Sequence, residues 1–319
     1  MKIWITAAVT ALALASFGAV AQNFPAKPVH VVLPYPPGGT TDLFVRTLAQ
    51  KLQESTSQPW LIEAKPGAAT MVAVLAVKSA AADGYTVLVG TTSMAINPLI
   101  YKKVEYRMED FTPISTFATG PLAMSVSKKV PANNAKEFIQ FVRANPGKVN
   151  YATLGAGGMP HLLAVMLEQQ GNVKMTDIPY KGAGPALAAL IAGDVQLYFD
   201  SVPSSLAQMK AGNIKILGIG SEERLKGVPE LPTLKEQGLN IAASAWFGFF
   251  VPAATPKPIV GQLHREVVNA VSSADYQTRV IEAGQVPAAS PSPEEFHRFI
   301  ERDTADWAKV VKPLNLQLD

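Results

Sequence analysis

Val29-His30-Val31-Val32-Leu33-Pro34-Tyr35-Pro36-Pro37-Gly38-Gly39-Thr40-Thr41-Asp42 is the stretch that decides the fold. A β-branched run enters a proline- and glycine-rich turn. The turn then opens a segment of helical period, Phe44, Leu48 and Leu52. The same grammar returns where Val149 to Thr153 leads into Leu154-Gly155-Ala156-Gly157-Gly158-Met159-Pro160-His161. Glycine lets a backbone approach a ligand closely, and unpaired N–H groups at a helix N-terminus attract an anion. Two such devices in one chain point to an anion held between two lobes.

Working outward, short apolar runs at Tyr85 to Thr91, Leu122 to Ser127, Val195 to Phe199 and Ile214 to Ile219 alternate with stretches of helical period such as Leu162, Val165 and Met166. This alternation predicts an α/β fold, with mostly parallel sheets flanked by helices. Pro160, Pro185, Pro203, Pro258 and Pro293 stand where a first helical turn would begin, and Gly171, Gly193, Gly212 and Gly284 follow expected helix ends. Ser292 and Glu295 have capping-box spacing ahead of the last helix. Val251 to Pro258 reads as a surface connection.

Residues 1–21 read as a secretory signal. Lys2 is followed by an apolar stretch from Ala7 to Val20, and Ala19-Val20-Ala21 has small-x-small cleavage spacing before Gln22. The alternative, a permanent N-terminal anchor, is disfavoured because the apolar part is short for a bilayer. A soluble periplasmic protein is therefore expected. The absence of cysteine rules out disulfides, thiol nucleophiles and a lipidated N-terminus. A formal charge of +3 without Lys/Arg runs argues against nucleic acid as a partner. His30, His161, His264 and His297 show no metal-ligand spacing, so no metal is expected. There is no P-loop and no G-x-S-x-G elbow. The second glycine turn partly mimics a dinucleotide fingerprint, with Asp177 downstream, but Pro160 occupies the third glycine position. The same anion-binding physics applied to a carboxylate fits better, and no cofactor is expected.

Several motifs in order carry a family resemblance: Pro34-Tyr35-Pro36-Pro37-Gly38-Gly39-x-x-Asp42, Lys65-Pro66-Gly67-Ala68, Asn97-Pro98-Leu99, Asp110-Phe111-Thr112-Pro113-Ile114, Gly155-x-Gly157-x-x-x-His161 and Pro179-Tyr180-Lys181-Gly182-x-Gly184-Pro185-Ala186. Leu231-Pro232-Thr233-x-x-Glu236-x-Gly238, Trp246-Phe247-Gly248 and Pro252 through Pro256 continue the match. The chain resembles the tripartite tricarboxylate transporter substrate-binding receptors, also called the Bug family. That resemblance implies a two-lobed periplasmic-binding-protein fold with the ligand cleft between lobes. Lobe one would be 22–121 plus 244–319, and lobe two 122–243, with crossings near Thr119–Leu122 and Ser244–Trp246. It also implies delivery of an organic carboxylate by a monomer to integral-membrane transporter subunits.

The candidate ligand-binding residues follow from the turns and the resemblance together. The amides of Gly38, Gly39 and Thr40 would receive a carboxylate, with Thr40 and Thr41 hydroxyls as further donors. Pro37, Ser93 and Thr153 belong to the same turns and strand ends. Gly155, Ala156 and Gly157 form the second anion turn. His161 either meets ligand or orients that loop, and the latter is favoured. Tyr180, Lys181 and Gly182 line the cleft in the family, and the alternative for Lys181 is a solvated loop charge. Asp200 either exchanges a proton with ligand or caps the helix at Pro203, and capping is favoured. Trp246 and Phe247 either wall the pocket or pack at the hinge. Met71, Met94 and Met159 near these turns, with Ala69-Thr70-Met71 replacing a glycine-rich family form, suggest a carboxylate bearing an apolar or aromatic body. Two other functions compete: an exported ligand sensor docking on a signalling partner, and an exported hydrolase pairing His161 with Ser93, Ser201 or Ser221.

Overall fold

The computed structural model describes residues 24–314 and 317–318, so the signal segment lies outside the described residues. The chain begins β1 (Val29–Leu33), α1 (Thr40–Thr56), β2 (Trp60–Ala64), α2 (Met71–Lys78), β3 (Thr86–Thr91) and α3 (Thr92–Ile100). It continues through β4 (Phe111–Ser127), α4 (Ala135–Ala144), β5 (Asn150–Thr153), α5 (Met159–Gly171), β6 (Thr176–Pro179), α6 (Ala183–Ala192), β7 (Leu197–Ser201), α7 (Val202–Lys210) and β8 (Ile214–Ile219). The last part is β9 (Ser244–Pro252), α8 (Lys257–Ser272), α9 (Ala274–Glu282), β10 (Val286–Pro287) and α10 (Pro293–Val311).

Two sheets share one strand. In lobe one, β2, β1 and β3 pair in parallel, β9 joins β3 antiparallel, and the first part of β4 joins β9. In lobe two, β6, β5 and β7 are parallel, while the far end of β4 runs antiparallel to both β7 and β8. β4 is 17 residues long and needs no break to serve both sheets: Phe111 to Pro121 face β9, and Leu122 onward face β7 and β8.

Helices cover both faces of each sheet. In lobe one, Phe44, Val45 and Leu48 of α1 pack with Leu263 and Val267 of α8 on Val29, Val31 and Leu33. On the opposite face Val74 and Val77 of α2, Met94 of α3, and Phe296 and Ile300 of α10 meet Val32 and Leu88. The alternation along β1 dictates this split, because successive strand side chains point to opposite faces. In lobe two, Phe138 and Val142 of α4 join Leu163 and Leu167 of α5 over Leu197 and Phe199. Ala186 and Leu190 of α6 cover Tyr198 on the other face.

Local chemistry sets the boundaries. The Ser292 hydroxyl accepts the Glu295 amide at 3.2 Å and starts α10. Asn134 does the same for Glu137 at 2.9 Å and starts α4. Asn172 and Gly193, both left-handed, end α5 and α6. Sequence periodicity missed β2, β6, β9 and the two-residue β10. In β9 the reason is Gly248, whose missing side chain leaves room for the Phe296 ring of α10. Strand β4 also begins earlier than the apolar run at Leu122 suggested, because Phe111 to Gly120 mixes threonine, proline and serine with buried positions.

Candidate functional site

The C-terminal ends of β1, β2 and β3 lie along one edge of lobe one, and those of β5, β6 and β7 along one edge of lobe two. Each of these strand ends leads into a helix start: α1, α2, α3, α5, α6 and α7. Open α/β sheets bind ligands in the crevice at such edges. The first amides of each helix lack a carbonyl one turn earlier, so the edges present donors with a positive dipole end behind them.

Contacts across the interface show that the two edges face each other. Thr40 Oγ1, in the first turn of α1, lies 2.9 Å from Ser201 Oγ at the end of β7. The Tyr101 hydroxyl donates to the Ala156 carbonyl at 2.7 Å. Pro36 packs where a Gly182 side chain would stand, and Ile100 occupies the corresponding space beside Gly157.

The first turn is built by Asp42. The Gly38 amide donates to Asp42 Oδ2 at 2.9 Å, and Arg46 Nε donates to the same oxygen at 2.9 Å. Gly38 therefore supplies the left-handed corner, at φ 89°, and its amide is engaged within the turn. Gly39 is the residue before α1, extended at φ −83° and ψ 172°, with nothing within 4 Å of where a Cβ would project. The positive φ that this turn requires thus belongs to Gly38 and not to Gly39. Pro37 is exposed, and Thr41 is buried behind the turn.

Next along the edge, the Tyr35 hydroxyl donates to Thr91 Oγ1 at 3.4 Å and also faces Ser93. Burial raises the Tyr35 pKa, and burial together with Asp200 raises that of Tyr198, so both phenols stay neutral. Tyr35 and Tyr198 lie near each other across the two lobes. Tyr35, Thr91, Tyr198 and Ser201 were not in the sequence-derived set. The signal available for Tyr35 was its place inside the first glycine turn.

In lobe two, the Thr153 hydroxyl donates to Asp177 Oδ1 at 2.7 Å and accepts the Gly155 amide at 3.3 Å, bracing the second turn from below. The Gly157 amide donates to His161 Nδ1 at 3.1 Å. Burial lowers the His161 pKa, so the ring is neutral and the proton sits on Nε2. His161 thus orients the loop, and Gly155 and Ala156 form its open part. Tyr180 donates its amide to the Thr153 carbonyl at 2.8 Å, Lys181 is exposed, and Gly182 precedes α6 at φ 119°. Asp200 is 4% exposed, and burial pushes its pKa up to about 6. It precedes the capping position of α7, which Ser201 holds.

Other expectations change. Met94 and Met159 are fully packed in apolar cores, and Met71 lies against the same core as Met94. They give no reason to expect an aromatic ligand body. Trp246 is 1% exposed, meets Phe296 and Phe299 edge-on and Phe250 at a tilt, and donates Nε1–H to Asp303 at 2.7 Å. Phe247 packs on Phe117. Trp246 is therefore a core residue, and Phe247 a partly buried one packed on the lobe-one core. Among the described residues no serine pairs with His161: Ser201 meets Thr40, and Ser221 donates to the Glu223 carbonyl at 2.6 Å. No group of three or more His, Asp or Glu side chains among the described residues is arranged to hold a metal ion. No helix among them is long and apolar enough to cross a membrane.

The model of the tripartite tricarboxylate transporter family receptor matches residues 44–316. The protein BugT of Bordetella pertussis is 32% identical over 305 residues, covering 93% of this chain and 92% of the relative. A Rhodopseudomonas palustris protein solved with adipate superposes with a TM-score of 0.89 at 31% identity, covering 93% of this chain and 100% of that one. MatC of the same organism, with bound malate, gives 0.85 at 31% identity, covering 90% and 100%.

Proposed function

The chain belongs to the tripartite tricarboxylate transporter receptor family, the Bug family of periplasmic solute-binding proteins, and we propose that it captures a small dicarboxylate between its lobes and hands it to the membrane subunits of such a transporter. The family is one of transport receptors, not enzymes. The observation that carries the reading is the Thr40–Ser201 hydroxyl bridge, set among helix N-termini from both lobes. Hydroxyls and first-turn amides are donors, and an anion entering there meets donors from both sides.

In this reading Gly39 and Thr40 take one carboxylate at α1, with Ser93 and Tyr35 beside it, while Thr41 backs the turn from behind. Gly155 and Ala156 contact the ligand from lobe two, and Lys181 and Gly182 close over it. The lobes divide at 22–121 plus 244–319 and 122–243, with hinges at the two crossings. Ligand touches both halves only in the closed form, so binding shifts the hinge equilibrium. The protein acts as a monomer in the periplasm after cleavage near Ala21/Gln22. A dicarboxylate is favoured over an aromatic acid because relatives hold adipate and malate, and because the methionines lie in cores.

A thermal-shift panel tests this on protein unfolded and refolded to remove carried-over ligand. An acid at one hundred times its dissociation constant adds about 2.7 kcal/mol of stability, or about 5 °C in Tm. The expected order is adipate or malate above aromatic acids. A flat response across mono-, di- and tricarboxylates contradicts the proposal.

A further inference from the structure

Asp200 is the one carboxyl buried beside the cleft that lacks a balancing cation among the described residues. It lies on β7 opposite Ala123 of β4. Its Oδ2 has no hydrogen-bond partner. Tyr198, two residues back on the same face of β7, interacts both with Asp200 and with Tyr35 of the other lobe, so the orphaned oxygen sits on the strand face turned toward the lobe interface.

The groups facing it are neutral. Ser204 and Ser205 approach from α7, and Tyr198 and the Ser201 amide from its own strand. Leu122 and Met124 flank Ala123 on β4, and α6, which packs on β7, has no ionisable residue. In α5 the ionisable side chains are His161 and Glu168, and His161 feels Asp177 and Glu168 rather than Asp200. From lobe one, Tyr35 faces Tyr198. An ionised carboxylate here would repel an incoming anion and have nothing to neutralise it, whereas the acid form carries an O–H. A carboxylate ligand accepts hydrogen bonds and donates none.

We propose, resting on the reading of the cleft as a carboxylate site, that Asp200 enters the complex as a neutral acid and donates its Oδ2–H to the bound anion, so that capture takes up one proton from solvent. No covalent bond changes. The proton that neutralises Asp200 comes from water and returns to it when the ligand leaves. Selection follows directly: the site prefers a ligand bearing an acceptor at this position, and a ligand ammonium or amide N–H placed there loses to a carboxylate oxygen.

The test is calorimetry with adipate and with malate at pH 8, in two buffers of different ionisation enthalpy. The difference in apparent enthalpy reports protons taken up. The expected value approaches one per ligand, and the association constant falls nearly tenfold per pH unit from about 6.5 to 8. Asp200→Asn donates through its amide without titrating, so it should bind with no proton uptake and little pH dependence over that range. Binding by the native protein without proton uptake overturns the inference and leaves the receptor reading standing. So does an Asn variant that keeps the native pH profile. If neither acid binds, the receptor reading falls and takes this inference with it. Should Asp200→Asn fail to fold, the native two-buffer measurement decides alone.

Discussion

At Gly39 the backbone is extended and the space beyond Cα is empty, so a side chain there strains nothing and fills only the position assigned to ligand. Gly39→Val is expected to keep the native circular-dichroism spectrum and Tm, and to lose at least one hundredfold in calorimetric affinity. Unchanged affinity in the folded variant removes this turn from the site. Thr40→Val deletes one side of the bridge to Ser201. A net hydrogen bond is worth about 1 kcal/mol, so roughly fivefold weaker binding is expected in the same assay. Asp200 also makes a ligand-free prediction. Its folded pKa of about 6 lies above the ordinary aspartate value of 3.8, so its neutral form is favoured by folding. Its stability contribution is therefore complete below pH 4 and is lost as pH rises through 6. Asp200→Asn should unfold like the native protein near pH 4 and gain on it up to pH 6. Above that the advantage levels off at about 3 kcal/mol, read from denaturant midpoints. A constant difference across pH contradicts the buried-carboxyl account.

The elements place these residues, and a pair of glycines tests how. Gly157, at φ 80°, leaves the space that Ile100 of α3 fills from the other lobe, while Gly147, at φ 71°, has open space around it. Gly157→Ala and Gly147→Ala should cost similar stability, about 1 kcal/mol of strain each. Only Gly157→Ala should also weaken ligand binding, by tenfold or more, because it obstructs closure. Equal affinities for the two variants would mean that the Ile100 contact does not belong to the bound form. Much of this level was legible in the sequence. The strand–turn–helix grammar at Val29 and Val149 was read because a short run of strand-forming residues enters a glycine-bearing turn at both places. What stayed hidden was set by tertiary packing: β2 has one buried position out of five, and β9 carries a glycine that α10 and the neighbouring β4 backbone explain. In the site, glycine turns announced themselves, whereas Tyr35, Tyr198 and Ser201 became cleft residues only once two distant strand ends were brought together. The three methionines misled because an apolar side chain near a turn in sequence gives no sign of which way it points.

Across the whole molecule, the lobes are joined by β4 and by the return into β9, and they touch through Ile96 and Ile100 of α3, Met159 and Leu162 of α5, and Trp307 of α10. A continuous strand across the hinge permits bending, while the apolar contact and the hydroxyl bridge give closure two independent holds. In the proposed receptor one dicarboxylate is captured between the lobes and draws them together. Small-angle scattering of acid-free protein, before and after saturation with whichever of adipate or malate binds calorimetrically, tests this most directly. One acid bound per chain and a smaller radius of gyration on saturation are expected. Stoichiometric binding with an unchanged scattering profile would contradict that closure.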